Sequence, residues 1–199
     1  SLSAAEYGCS PIDLQINVDI SHAASESSVE ASHHCVSISR EKVWGYGSKQ
    51  VFRRISHAGL SQSWFESTYS SDAEYTLILE DDMEVSPKFY NIFSVLHRGG
   101  SFAASQVTAF CLHPNDWEVE VRRTCADKKH SRHLYLSPEP CNWGPMWKTA
   151  EWAQYIDWVF RMKAKRKFPF VPEIYSYEFN AYLRAGKDVQ SSWVWAYNF

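Results

Sequence analysis

Three consecutive carboxylates, Glu80-Asp81-Asp82, with Glu84 close behind, follow the apolar run Tyr75-Thr76-Leu77-Ile78-Leu79. A short apolar run ended by polar residues reads as a strand buried on both faces. In an open α/β sheet, ligands bind outside the carboxyl ends of the strands. The acidic cluster stands at such an end. Like charges on one turn repel unless water or a cation neutralises them. Hard divalent ions take oxygen ligands and often use one or two carboxylates together with substrate phosphates. The chemistry on offer is therefore the holding of a nucleotide diphosphate through a divalent ion. A solvated acidic turn is the plain alternative, and the flanking elements weigh against it.

Those elements are legible. Ser86-Pro87 is a helix start, with a hydroxyl N-cap and a proline suited to the first helical position. Phe89, Ile92, Phe93 and Leu96 follow at helical spacing. Upstream, Ile12 to Ile20 alternates apolar and polar residues, a strand signal that leaves Asp19 at its carboxyl end. The polar segment Ser21 to His34 suits a helix, and Val36 to Ser39 a short strand. Trp44-Gly45-Tyr46-Gly47-Ser48 is a loop whose glycines permit unusual backbone angles. Past Val51 to Gly59, a helical stretch puts Leu60, Trp64 and Phe65 on one side. Gln106 to Leu112 is a further buried strand, and Asn142 to Trp147 a rigid aromatic turn. Trp152 to Lys167 is a helix turning basic near its end, as the helix dipole favours. Strands alternating with helices imply an α/β fold with a mostly parallel central sheet flanked by helices. No repeat or low-complexity linker divides residues 1–199, so one domain is expected.

A net charge of −3 argues against a general nucleic-acid binder. No apolar stretch is long enough to span a membrane, so membrane contact is expected only through segments outside this chain. Five cysteines, at positions 9, 35, 111, 125 and 141, are too widely spaced for a zinc pattern. They suit either two disulfides with one thiol left over or a reduced protein. The nine tryptophans serve either as core or as flat platforms for sugar rings.

The segment Leu79 to Tyr90 resembles the metal-binding segment of GT-A fold glycosyltransferases, and within them the N-acetylglucosaminyltransferase I type. That pattern is an apolar strand, then E-D-D, an apolar residue, E, V, a small residue, P and two aromatics. A second block, Tyr155-Ile156-Asp157-Trp158-Val159-Phe160-Arg161 with Val171-Pro172-Glu173-Ile174, resembles the family's W-D-D-W-M-R helix and the R-P-E segment after it. The chain departs from the pattern at two places. The paired aspartates of the second block are reduced to Asp157, and Val171 stands where the family has arginine. The resemblance implies a Rossmann-like GT-A sheet lacking its first strand, which leaves part of the nucleotide pocket in question.

It also implies roles. Asp82 would bind Mn²⁺ directly, with the ion bridging the two phosphates of a nucleotide-sugar donor, a UDP-sugar. Glu80 and Asp81 would hold metal-bound water, the ribose or the donor sugar. Asp19 and His57 would contact the nucleotide base. Asp157 would be the general base for an inverting transfer to a glycan or glycoprotein hydroxyl, its basicity raised by partial desolvation against Trp158 and Trp143. Glu151 and Glu173 are weaker candidates for that base. Trp143, Gly144 and Trp147 form either an acceptor-side platform or a plain core turn. Glu84 suits a helix-start carboxylate, and the pair His130 and His133 a solvated loop. The rival to an enzyme is a catalytically inactive transferase-like domain that binds carbohydrate or a partner. The family's setting is the Golgi lumen, as a type II membrane protein.

Overall fold

The computed structural model describes residues 2–20, 25–66, 72–100, 107–111 and 144–165. They belong to two compact units, Ser1–Ser70 with Glu84–Ser101, and Ser71–Met83 with Phe102–Phe199. The protein is mixed α/β, as its alternating pattern implies.

The first unit begins with a short 3-10 helix, Leu2–Ala4. Strand β1 (Leu14–Val18) pairs in parallel with β2 (Lys49–Arg53), from Leu14 opposite Lys49 to Val18 opposite Arg53. Helix α1 (Glu26–Glu41) makes the crossover between them. Its N-terminus is capped by Ser25, whose Oγ accepts from the Ser28 amide at 3.3 Å. Its C-terminus is closed by Lys49, whose Nζ donates to the carbonyls of Ser39 at 2.9 Å, Arg40 at 2.8 Å and Lys42. Four C-terminal carbonyls of a helix lack intrahelical partners, and a cation there satisfies them.

Residues Val36 to Ser39 are accordingly not a strand. They lie in the last turns of α1, which buries Ser32 and Val36, one turn apart, on its inner face. Four residues carry too little pattern to set strand against helix, and the capped ends decide it.

Helix α2 (Gly59–Glu66) buries Trp64 and Phe65. Helix α3 (Phe89–Arg98) buries Phe89 and Phe93 but leaves Ile92 about half exposed. Its cap position, Lys88, lies two residues beyond the expected cap. Ser86 to Lys88 form a turn in which the Ser86 hydroxyl accepts from the Lys88 amide at 3.3 Å, and the Ser86 carbonyl from the Phe89 amide at 3.0 Å. Ser86 therefore caps the turn leading into the helix.

Tyr7 is the hub of this unit. It is 3% exposed, and the rings of Trp44, Tyr46, Phe89 and Tyr90 all lie within 6 Å of its centroid. Its hydroxyl donates to the Leu2 carbonyl at 3.0 Å. Burial, then the neighbouring Tyr46, pushes its pKa up to about 12. The Glu6 amide donates to the Pro87 carbonyl at 2.9 Å, which fastens the N-terminal segment to the approach of α3.

The second unit holds an antiparallel sheet in the order β3-β5-β4. Its strands are β3 (Tyr75–Leu77), β4 (Ala109–Cys111) and β5 (Pro145–Lys148). Tyr75 faces Lys148 across one ladder, and Ala109 faces Trp147 across the other. Among the described residues strand β3 is thus an edge of this sheet, and it is half-buried, where its apolar run suggests burial on both faces. Among the described residues only the β1–β2 pair is parallel. The expected rigid turn at 142–147 is strand from Pro145 onward. Pro145 takes the first strand position, where a missing amide is tolerated, and Gly144 supplies the left-handed backbone before it, with φ 65°.

Helix α4 (Thr149–Ala164) packs Trp152, Tyr155 and Val159 inward, at 1%, 2% and 0% exposure. Among the described residues no helix is long and apolar enough to cross a membrane.

Gly47 shows a close approach. Its φ is not left-handed, but a Cβ placed on it would lie 2.5 Å from the Ile12 carbonyl oxygen. At Gly45 an added Cβ meets nothing within 4 Å. Gly47→Ala should therefore cost about 1–3 kcal/mol through overpacking, with Gly45→Ala near neutral. Urea unfolding of the two variants checks this; equal midpoints would refute it.

Candidate functional site

The acidic residues sit on a β-turn directly beyond β3. The Met83 amide donates to the Glu80 carbonyl at 3.2 Å, which closes the turn and puts Asp81 and Asp82 at its two corner positions. Both are exposed, and neither side chain has a hydrogen-bond or ion-pair partner among the described residues. Glu80 is half-buried and engaged in further interactions. Glu84 is exposed and belongs to the other unit, ahead of α3.

Asp81 and Asp82 are oxygen donors of the kind a hard divalent ion takes. Among the described residues there is no group of three or more His, Cys, Asp or Glu side chains able to hold a metal. The chain would then supply one or two carboxylates, and phosphate oxygens and water the remainder, an arrangement usual for Mg²⁺-like ions.

Asp19 and His57 are brought together at the carboxyl ends of β1 and β2. Asp19 Oδ1 accepts from the Ile20 amide at 2.9 Å and the Ala58 amide at 3.1 Å. Its Oδ2 accepts from the Gly59 amide at 3.0 Å. Asp19 is thus a cap for the N-terminus of α2, delivered from a neighbouring strand. His57 Nδ1 lies 3.3 Å from Asp19 Oδ2 and 2.6 Å from the Ile20 carbonyl.

Burial pushes the Asp19 carboxyl up, but the amides of Ala58, Ile20 and Gly59 and the nearby His57 outweigh it, so its pKa is lowered. Sequence reasoning missed the partner. Gly59, with φ 74°, opens α2 and turns its amide toward the carboxylate. A His-Ala-Gly segment after a strand is the only hint, and it does not identify which carboxylate answers it.

Asp157 and Trp147 lie on α4 and β5 of the second unit. Asp157 is 66% exposed on α4 and pairs with Arg161 at 3.0 Å, an i,i+4 ion pair. Trp158 is half-buried on the same helix and stacks toward Tyr155. Trp147 is 6% exposed, with its ring parallel to Tyr155 at 6.1 Å and tilted on Trp152 at 5.1 Å. It is core, not a platform. Its buried Nε1 has no partner among the described residues.

Glu151, half-buried in the first turn of α4, suits the helix dipole. Trp143, His130, His133 and Glu173 lie outside the described residues. Cys9 and Cys35 are free and exposed, whereas Cys111 is disulfide-bonded.

Compared with protein-family models, curated proteins and solved structures, the chain matches none.

The capping role makes a pH-resolved prediction. Asp19→Ala should lower stability at neutral pH by about 1 kcal/mol, the usual cost of a lost N-cap. Because the folded-state pKa of Asp19 lies below its ordinary 3.8, the contribution is present above the unfolded-state pKa. It disappears as pH falls through the folded value. Urea titrations of wild type and variant should converge in acid. A gap that stays constant there would contradict the capping charge.

Proposed function

We propose that the chain is a GT-A type glycosyltransferase domain. It moves a sugar from a nucleotide-diphosphate donor, a UDP-sugar, to a glycan or glycoprotein hydroxyl, with inversion and with Mn²⁺. One observation carries this reading. Asp81 and Asp82 occupy the corners of a turn beyond a strand, exposed and uncommitted to other groups among the described residues. The resemblance of residues 79–90 to the metal segment of that family supports it, as does the fit of the donor set to a hard ion.

When bound, the ion supplies Lewis-acid neutralisation of charge on the leaving diphosphate. Asp82 would hold it, while Glu80 and Asp81 would orient water, ribose or the donor sugar. Inversion also needs a base on the face opposite the leaving group. Asp157 would accept the acceptor hydroxyl proton at a carboxylate oxygen, once Arg161 gives up its pairing with that group. The disulfide at Cys111 supports an oxidising compartment such as the Golgi lumen.

A second reading, a transferase-like domain that binds a ligand without turnover, draws on Asp157 itself. A base candidate that is 66% exposed and ion-paired is not prepared for proton abstraction by the fold.

Calorimetric titration of UDP and UDP-sugars, with and without Mn²⁺, tests the proposal. Wild type should bind only with the ion, and Asp82→Ala should weaken binding by more than about tenfold. Binding that ignores both the ion and Asp82 would sink it. Metal-dependent binding without transfer to any offered glycan would select the second reading.

A further inference from the structure

The two faces of the β1–β2 pair carry different chemistry. Lys49 closes the end of α1, and Arg53 Nη1 lies 3.4 Å from Ser32 Oγ on the same helix. The face with Lys49, Val51 and Arg53, and with Leu14, Ile16 and Val18 opposite them, is therefore turned to α1. Side chains alternate along a strand, so Gln15, Asn17, Gln50 and Phe52 share the other face. Gln15 stands opposite Gln50, and Asn17 opposite Phe52. Asn17, Gln50 and Phe52 are exposed, Phe52 at 43%, and Gln15 is half-buried.

Parallel strands are ordinarily covered, and apolar, on both faces. This second face is neither apolar nor charged. A face made for packing would be apolar, and one made only for water would favour Lys or Glu. Asn is a poor strand former, yet Asn17 holds an interior strand position. The charged residues next in line are committed within the protein. Asp13 Oδ1 accepts from the Ser48 amide at 2.8 Å and from its hydroxyl at 2.7 Å. Asp19 accepts from the Ala58 and Gly59 amides, and Arg54 is ion-paired with Glu66. Three amides and one phenyl ring lie between them.

A side-chain amide donates and accepts without charge. Sugar hydroxyls do the same, so the two are complementary. An exposed phenyl ring offers a flat apolar surface to the C–H face of a sugar. Side chains two apart on a strand are about 7 Å apart, and neighbouring strands about 5 Å. The four residues thus cover the footprint of a single sugar ring. Gln15 Nε2 donates to Asn17 Oδ1 at 3.0 Å, which holds one amide against the other.

We propose that this exposed face of β1–β2 binds a neutral saccharide. Its ring stacks on Phe52, its hydroxyls meet the amides of Asn17 and Gln50, and Gln15 orients Asn17. The acidic turn and its ion take no part, so the site is separate from the donor site proposed above and does not rest on it.

The test titrates lactose, maltose and cellobiose into the whole ¹⁵N-labelled chain without metal, read by ¹H–¹⁵N NMR. At least one sugar should give saturable shifts centred on residues 14–18 and 49–53. Phe52→Ala should weaken binding at least about fivefold. Asn17→Ala and Gln50→Ala should each weaken it about threefold or more, as the loss of one neutral hydrogen bond does. These two side chains are exposed, so the rest of the spectrum should stay unchanged and report an intact fold. Adding UDP and Mn²⁺ should leave the sugar affinity as it was.

Four results would each overturn the proposal. They are no saturable shift with any of the three sugars, binding indifferent to Phe52 and Gln50, and binding that appears only with UDP and Mn²⁺. The fourth is broadening of the same amides with protein concentration and no sugar, which would make a second copy of the chain the occupant. The UDP titration decides the transferase reading separately, and its failure leaves this site standing.

Discussion

Helix ends closed by side chains from the neighbouring strands fix how the first unit fits together. Lys49 lies on β2 and satisfies carbonyls at the end of α1. Asp19 follows β1 and satisfies amides at the start of α2. Both strands belong to one parallel pair, with Val18 opposite Arg53. A slip of one residue would turn each side chain to the other face of the strand. Lys49 would leave the α1 carbonyls, and the β2–α2 loop would carry its amides away from Asp19. The register is thus held by two charge-assisted sets of hydrogen bonds as well as by apolar packing, and such bonds are about twice as strong as neutral ones.

The two aspartate clusters stand after strands and meet opposite fates. Asp19 runs into open amides that have no other partner, so its charge is spent on structure. At the acidic turn the Met83 amide bonds to the Glu80 carbonyl, and the Asp81 and Asp82 side chains have no part in closing it. Asp81 and Asp82 are left with repulsion between like charges and with water.

What could be read in the sequence follows from the range of the forces involved. Strands β1 and β3 and helices α2, α3 and α4 rest on local periodicity, and each falls where the pattern puts it, to within a few residues. The acidic turn was legible because a β-turn closes on itself. Val36 to Ser39 was misread because its alternation is shorter than the helix that swallows it. Strand direction was not legible. Residues 78–144 separate β3 from β5, and nothing local states which way β5 runs. Trp147 was ambiguous for a similar reason, since a Trp-Gly-Pro-Met-Trp segment looks the same exposed or buried. Its burial comes from Trp152 and Tyr155 on α4, which follows it in the chain.

The exposure of Asp157 is forced by helix geometry. Tyr155 and Val159 are one turn apart and both fully buried, so they define the inner face of α4. Asp157 lies two residues from each, about 200° around the helix from either. The helix cannot bury it without turning Tyr155 and Val159 outward, at a cost of several kcal/mol. Arg161, one turn further on, shares that outer face and supplies the counter-charge. The packing of α4 itself therefore keeps Asp157 on the solvent side of this helix.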